Sequence, residues 1–434
     1  MNLFKFLIYL LLTGIAQSCL AKPFKTDHWT TSNGVRVIFY QAMEVPMLDL
    51  SLAFAAGSAY DGARQGLSAL TFNMMNQGNA GLSATDLANG FADEGSQLTG
   101  NNTKDMVVFN LRTLTTPQAL SHSNRLFSNM IIHPDFPMDA FMREKTQLLM
   151  SLKQAQESPQ DIANLTFFKT LYKNHPYAHA VNGNIKSLKA ITRDQLIEFY
   201  KQYYVAENAV LVLVGAIDQQ TAHQMADQLT RALPRGQQAS ILPQAVQIPH
   251  AEQKNIDYPS SQTMIRVGQI GIDHHNPNYF PLTVGNYIFG GDPLESRLGL
   301  EIREKRGLTY GIDSQFVPMP GEGPFIISLA TKNSRASKAL QLTQLALARF
   351  IQEGPNQEEL TAAKQYLTGS FPLSLDSNHT IANLLLRVAF YQMPNNFLES
   401  YVDHIQSVTL QEVKQAFKQQ VDLDKLVLIK VGRL

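Results

Sequence analysis

The chain has 434 residues, of which 44% are hydrophobic and 17% charged, and its formal net charge is zero. This composition is too apolar for a disordered chain, and the length is enough for two domains of about 100–200 residues each. Because the charges balance and no basic stripe occurs, the sequence predicts no nucleic-acid partner.

The N-terminus has the features of a secretory signal peptide. Lys5 precedes an apolar run at residues 6–12, and small residues follow, which is the order typical of a cleaved signal. We predict that residues 1–21 are removed and that the mature protein is periplasmic. Lipid attachment at Cys19 is the less favoured alternative, because Gln17 fits a lipoprotein signal poorly. Cys19 is the only cysteine, so the mature chain has no disulfide and no thiolate metal site.

Residues 22–233 are predicted to form a first α+β half. It opens with a Ser32-Asn33-Gly34 turn between two β-rich runs, which indicates a hairpin. A capping-box pattern at Thr192 predicts the start of a later helix. Further strands are predicted at 47–55, 106–114 and 209–216, and further helices at 64–77, 84–94, 116–131, 136–158 and up to about 232.

A second half is predicted at residues 254–434, after a linker at 234–253 that is rich in Gly, Gln, Ser and Pro and has no periodicity. The second half repeats the order of the first. Strands are predicted at 264–272, 310–317, 325–329 and 426–431, and helices at 278–289, 294–305, 334–353, 356–370, 379–392 and 409–420. The sequence therefore predicts an α+β fold of two similar halves, each an antiparallel-rich sheet covered on one face by helices.

The most specific motif is FGGDPLESRLGLEIREKRGLTYG, at residues 289–311. Its glycine turn leads into a helical pattern whose apolar residues recur every four positions, at Leu294, Leu298 and Ile302. Gly307 is predicted to end this helix in a left-handed conformation. Arg303 and Tyr310 flank that turn and are expected to point to the same open end.

This motif resembles the second half of insulinase- and pitrilysin-type zinc peptidases, a family that includes the mitochondrial processing peptidase. The resemblance extends over about residues 28–434 and implies a substrate-binding edge, at which Arg303 and Tyr310 reach the scissile region of a peptide. The chemistry fits, because a guanidinium offers fixed donors to a peptide carbonyl and a tyrosine hydroxyl can stabilise an oxyanion.

The catalytic motif of the family is missing from this sequence. Active members carry H-x-x-E-H, with two histidine ligands and a glutamate base. Gly66 and Gly78 keep the spacing of the family around this motif. On that frame, Ala69 takes the first histidine position, Phe72 the glutamate position and Asn73 the second histidine position.

The third ligand of the family is a glutamate seven residues after another acid. Here Glu144 matches the earlier acid, and Ser151 takes the ligand position. A catalytic zinc site needs three protein ligands and an open water position, so we predict that this chain binds no zinc. His175 and His179 are spaced as helical ligands would be, but Pro176 between them disfavours the helix.

The resemblance implies a non-catalytic subunit that is inactive alone. Short bacterial members can be heterodimers, in which one subunit carries zinc and the other carries the arginine–tyrosine pair. We therefore expect a zinc-bearing partner subunit and a peptide substrate. A peptide-binding or structural scaffold without peptidase activity is the alternative, and an autonomous metallopeptidase with rearranged ligands is the least favoured. The sequence leaves open whether the chain alone forms a homodimer.

Overall fold

The computed structural model describes residues 24–433. The predicted signal peptide, residues 1–21, and the alternative lipid site at Cys19 lie outside the described residues. Within the described part of the chain, no helix is both long and apolar enough to cross a membrane.

The first half is built around one sheet. Its strands are β1 (Thr26–Thr30), β2 (Arg36–Gln41), β3 (Met47–Phe54), β4 (Gly78–Asn79), β5 (Leu82–Ser83), β6 (Gln97–Asn102), β7 (Val107–Leu114) and β8 (Ala209–Gly215). Its helices are α1 (Leu67–Met74), α2 (Ala84–Asp93), α3 (Pro117–Ile132), α4 (Met138–Gln156), α5 (Pro159–Tyr172), α6 (Ile185–Ala190), α7 (Arg193–Tyr203) and α8 (Gln219–Thr230).

The sheet order in this half is β1-β2-β8-β3-β7-β6, and β4 and β5 form a separate two-stranded ribbon. Strand β8 runs parallel to β2 and antiparallel to β3. Every residue of β8 is buried, which explains its unbroken apolar run, because a central strand covered on both faces has no polar side. Strand β6 is the last strand of the sheet and has β7 on one side only.

The second half has the same plan. Its strands are β9 (Glu252–Asp257), β10 (Gln262–Ile270), β11 (Thr309–Phe316), β12 (Pro324–Lys332) and β13 (Val427–Gly432). Its helices are α9 (Tyr279–Asn286), α10 (Ala336–Glu353), α11 (Gln357–Ser370), α12 (Asn378–Phe390), α13 (Phe397–Ser407) and α14 (Leu410–Gln420). The sheet order is β11-β12-β10-β13-β9, so that β11 is an edge strand.

One helix of each half packs on the sheet of the other half. Helix α5 packs on β10 and β13 of the second sheet, where Phe167 and Leu171 join a buried cluster with Ile429. Helix α12 packs on β3 and β8 of the first sheet, where Ile381 and Leu385 join a cluster with the valines of β8. Each sheet therefore has its own helices on one face and a helix of the other half on the second face. The two halves share buried apolar surface, which couples their stabilities.

The α+β class with two similar halves is confirmed. The capping box at Thr192 is confirmed too, since its side chain accepts from the Gln195 amide and Gln195 bonds back. Seven elements were not predicted, namely β4, β5, β6, β9, α5, α6 and α13. The predicted linker is irregular as far as residue 251, and β9 begins at Glu252.

Candidate functional site

The three catalytic-motif positions lie on α1. Gly66 precedes the helix with a φ of 96°, and the Asp61 carboxylate accepts from the amides of Gly66 (2.6 Å) and Ser68 (2.7 Å), which anchors the first turn. Ala69 is buried in the core of the first half. Phe72 is half-buried, and its ring centroid lies 5.4 Å from that of Phe109.

Asn73, the third position, is half-buried on the same helix. It lines a cavity of about 330 Å³ together with Phe72 and Glu144. Ser151 is exposed and lines a different cavity, of about 390 Å³, with Lys104 and His179. The structure thus brings Glu144, and not Ser151, to the cavity at the degenerate motif. The assignment of Ser151 to the ligand position stays a prediction.

No group of three His, Cys, Asp or Glu side chains is close enough to hold a metal ion among residues 24–433. The two histidines with suggestive spacing make other contacts, because His175 Nε2 donates to the Pro243 carbonyl (2.7 Å) and His179 Nδ1 donates to that of Ala180 (2.9 Å). Residues Pro176–Ala178 between them form a short 3-10 turn. The side chains at the motif positions are a methyl in Ala69, a phenyl ring in Phe72 and a carboxamide in Asn73. Such a set does not form a zinc site.

The glycine-turn motif forms an irregular helical segment before β11. Residues Gly299–Glu304 are π-helical, a form often found at functional sites. Leu298 and Ile302 are fully buried, as predicted, but Leu294 is 53% exposed, so its assignment to the apolar side was wrong. Leu294 lies at a turn outside the regular helix, where the Asp292 carboxylate accepts from its amide.

Gly307 has a φ of 56°, which confirms the predicted left-handed turn. The turn is closed by backbone bonds from Gly307 to the Arg303 carbonyl and from Leu308 to the Ile302 carbonyl. The Arg335 guanidinium donates to the Gly307 carbonyl (2.9 Å). These bonds hold the turn that connects Arg303 to the start of β11 in one conformation.

Arg303 and Tyr310 line one cavity of about 320 Å³. Tyr310 is 85% exposed and lies at a register shift between Thr309 and Ile312, where β11 pairs irregularly with β12. Such a bulge re-aims a side chain at a sheet edge. Arg303 donates to the Pro293 carbonyl (3.3 Å) and lies 3.4 Å from the Glu304 carboxylate.

Two further cations, Lys332 and Arg335, line the same cavity. The sequence did not indicate them, because they lie at the end of β12 and just after it, more than 20 residues from the motif. Together with Arg303 they give the cavity a positive balance against the single acid Glu304. A peptide carbonyl or a developing oxyanion would be favoured there.

Arg297, an earlier arginine of the motif at residues 289–311, has a different position. Arg297 donates to both carboxylate oxygens of Glu359, each at 2.7 Å, and to the Gly354 carbonyl at 2.9 Å. Its guanidinium also lies 4.9 Å from the centre of the Phe350 ring. Arg297 therefore fastens the motif to helices α10 and α11 and does not line the cavity of Arg303.

A buried charged cluster lies where the two halves meet. The Asp105 carboxylate accepts from the hydroxyls of Tyr177 (2.7 Å) and Tyr391 (3.2 Å), and Tyr391 belongs to the second half. Burial raises the pKa of Asp105 to about 6 and that of Asp61 to about 7. Burial also lowers the pKa of Lys104 to about 8. No sequence pattern marked Asp105, because its contacts come from both halves.

Comparison with known proteins identifies the family. A sequence model described as insulinase (peptidase family M16) matches residues 36–184, and one described as the peptidase M16 inactive domain matches residues 190–367. The crystal structure of a peptidase M16 inactive domain from Pseudomonas fluorescens superposes with a TM-score of 0.92 and 38% identity, covering 94% of this chain and 98% of that chain. The chain belongs to the insulinase family.

Other relatives in the insulinase family have different names. A protein named non-peptidase homolog YmxG, from Helicobacter pylori, is 26% identical over 97% of both chains. An uncharacterized zinc protease YmxG, from Bacillus subtilis, is 21% identical and covers 90% of this chain and 94% of its own. The match to the inactive-domain model, together with Ala69, Phe72 and Asn73 at the motif positions, supports a non-catalytic member of the insulinase family.

Proposed function

We propose that this chain is the substrate-binding, non-catalytic subunit of a heterodimeric periplasmic metallopeptidase, in which a zinc-bearing insulinase-family partner hydrolyses the peptide. One contrast carries the proposal. The metal-ligand positions on α1 hold Ala69 and Asn73, whereas Arg303 and Tyr310 are present and line one open cavity at the start of an edge strand.

Each part of that cavity has a role in the proposed reaction. An extended peptide would pair with the free edge of β11, where backbone bonds give affinity. The Arg303 guanidinium would orient a peptide carbonyl. The Tyr310 hydroxyl, on an 85% exposed side chain, would complete the oxyanion stabilisation in the active site of the partner.

The test is peptide cleavage by the reconstituted pair. Tyr310→Phe should lower kcat by about 100-fold, the usual effect of removing one oxyanion donor, and Arg303→Ala should lower kcat/KM by about tenfold or more. Arg306→Ala is the matched control, because Arg306 lies on the same turn but pairs with Glu301 and does not line the cavity. Unchanged activity in folded Arg303→Ala and Tyr310→Phe proteins would contradict the assigned roles.

The partner and the compartment need their own measurement. Pull-down with the mature chain from periplasmic extract should recover an insulinase-family protein that carries H-x-x-E-H, encoded by a neighbouring gene. The recovered pair should cleave peptides, and chelation should abolish this activity. Stoichiometric zinc in the purified chain alone, with activity lost on chelation, would instead show an autonomous peptidase.

A second candidate is a peptide-holding or structural scaffold with no hydrolytic partner. The relative named non-peptidase homolog, which spans 97% of both chains, supports this alternative. Absence of any zinc-bearing relative from the extract and from neighbouring genes would favour it. The exposed Tyr310 beside Arg303 supports the heterodimer, because a scaffold has no need of an oxyanion donor.

A further inference from the structure

A cavity lies beside α1, at the positions where active members of the family carry the catalytic motif. Its volume is about 330 Å³, and its walls combine apolar side chains with polar ones: Phe72, Met75, Leu98, Phe109 and Met130 with Asn73, Asn76, Gln77, Thr99 and Glu144. It lies beside β6, the edge strand of the first sheet. The cavity therefore adjoins a strand whose outer edge has no partner strand in the described part of the chain.

The strand register shows which side chains of a bound peptide would reach this cavity. Leu98 pairs with Leu111 and Gly100 pairs with Phe109, and both partners belong to the buried core with α1. Leu98 and Gly100 are thus on the face of β6 that looks toward α1. A strand added to β6 would place alternate residues on that face.

The Phe72 ring packs directly against Gly100. A Cβ atom built there would lie only 2.8 Å from Phe72 Cε2, so the phenyl ring of Phe72 occupies the space beneath the glycine. A peptide residue opposite Gly100 would therefore meet the Phe72 ring and no side chain of Gly100 itself. The remaining depth of the cavity is bounded by Asn73 and Glu144.

Glu144 gives the cavity its charge. It is the only charged residue among the described residues that line it, and it is 91% buried, with 9% exposed. Its nearest cation is Arg143, whose Nε lies 3.6 Å from Oε1. Arg143 also donates to the Gln77 side chain and is 48% exposed. Burial raises the pKa of Glu144, and Arg143 opposes this only in part.

We propose that this cavity is a subsite for a lysine or arginine side chain of an extended peptide bound along β6. The apolar side chains of the walls, such as Phe72 and Leu98, would cover the aliphatic stem of the bound side chain, and the Glu144 carboxylate would pair with its charged end. The inference rests on the proposed function and extends it, because it names a residue type in the peptide. The vacated motif position thereby becomes a holding site for substrate.

The experiment measures fluorescence anisotropy with the purified mature chain and no partner. The probes are a labelled decapeptide of Ser, Thr and Val with one central lysine, and the same peptide with norleucine, which keeps the stem and lacks the charge. The wild-type chain should bind the lysine peptide about tenfold more tightly, as expected for a hydrogen bond to a charged group. Glu144→Gln should bind both peptides equally.

Two further variants distinguish an effect on the cavity from an effect on folding. Asn73→Phe fills the cavity while Glu144 is kept, and it should weaken binding of both peptides. Ser151→Ala is the matched control on the same helix, since Ser151 lines the other cavity, and it should change neither affinity. Thermal melting checks that each variant is folded.

Equal affinity of the wild-type chain for the two peptides, or no binding of either, overturns the subsite. A lysine preference that persists in Glu144→Gln overturns it as well. The proposed function is decided separately, by the response of the reconstituted pair to Arg303→Ala. Absence of the lysine preference would therefore leave the role of Arg303 unaffected.

Discussion

Arg297 lies in the middle of the motif at residues 289–311, which resembles the substrate-binding edge of insulinase-type peptidases. Its replacement should nevertheless act by destabilising the protein. Arg297→Ala removes two bonds of 2.7 Å to Glu359 and one of 2.9 Å to the Gly354 carbonyl. It also removes the contact with the Phe350 ring. The Arg297 and Glu359 side chains are only 25% and 26% exposed, so water replaces these bonds incompletely.

The expected cost follows from these contacts. Hydrogen bonds to charged groups contribute about 1.5–3 kcal/mol each in buried settings, and partial exposure reduces this, so we expect a loss of about 3 kcal/mol in the free energy of unfolding. Arg306→Ala, which breaks the more exposed pair with Glu301, should cost less than about 1 kcal/mol. Arg297→Lys should recover only part of the loss, because an ammonium cannot make the two parallel bonds.

Urea denaturation followed by far-UV circular dichroism measures the change. Fluorescence of Trp29, the one tryptophan of the sequence, reports on the first half and shows whether the two halves unfold together. An unfolding free energy for Arg297→Ala equal to that for Arg306→Ala would refute the reasoning. So would a peptidase defect of the pair in the absence of any loss of stability.

Two other predictions concern the buried cluster and the turn before α1. Because burial raises the pKa of Asp61 to about 7 and that of Asp105 to about 6, from a usual 3.8, these two carboxyls bind more protons in the folded chain than in the unfolded chain between about pH 4 and 7. The stability that these two carboxyls contribute should fall as pH rises through that window, so thermal melting should show that Asp61→Asn loses less stability than the wild type over the same pH rise. Gly183→Ala should cost more than about 3 kcal/mol, because its φ is 72° and the new Cβ would lie 2.2 Å from the Gln65 carbonyl oxygen. Gly62→Ala, with a φ of 57° and open space, should cost about 1–2 kcal/mol, and equal melting temperatures for these two alanine variants would contradict the account.

Much of the fold could be predicted because local signals were strong. The apolar run of β8 and the capping box at Thr192 each depend on nearby residues only, and both were read correctly. Strand β6 was missed because its residues are mostly polar and exposed. Helix α5 was missed because it begins at Pro159, directly after another helix ends at Gln156, and because it is apolar around much of its circumference, since it packs between both halves.

The chemistry of individual side chains was settled by the sequence. Ala69, Phe72 and Asn73 are unable to form the metal site of active insulinase-family peptidases wherever they lie, because ligand atoms are a covalent property of the residue. The left-handed turn at Gly307 was predictable for a similar reason, since glycine alone adopts that conformation at little cost.

Only the tertiary structure decided which distant residues share a site. It separated Arg297 from Arg303, added Lys332 and Arg335 to the cavity of Tyr310, and brought Glu144 beside Phe72. It also buried Asp105 between two tyrosines from different halves. Burial, pKa and cavity shape arise from packing between elements far apart in the chain, and a linear pattern carries no measure of that packing.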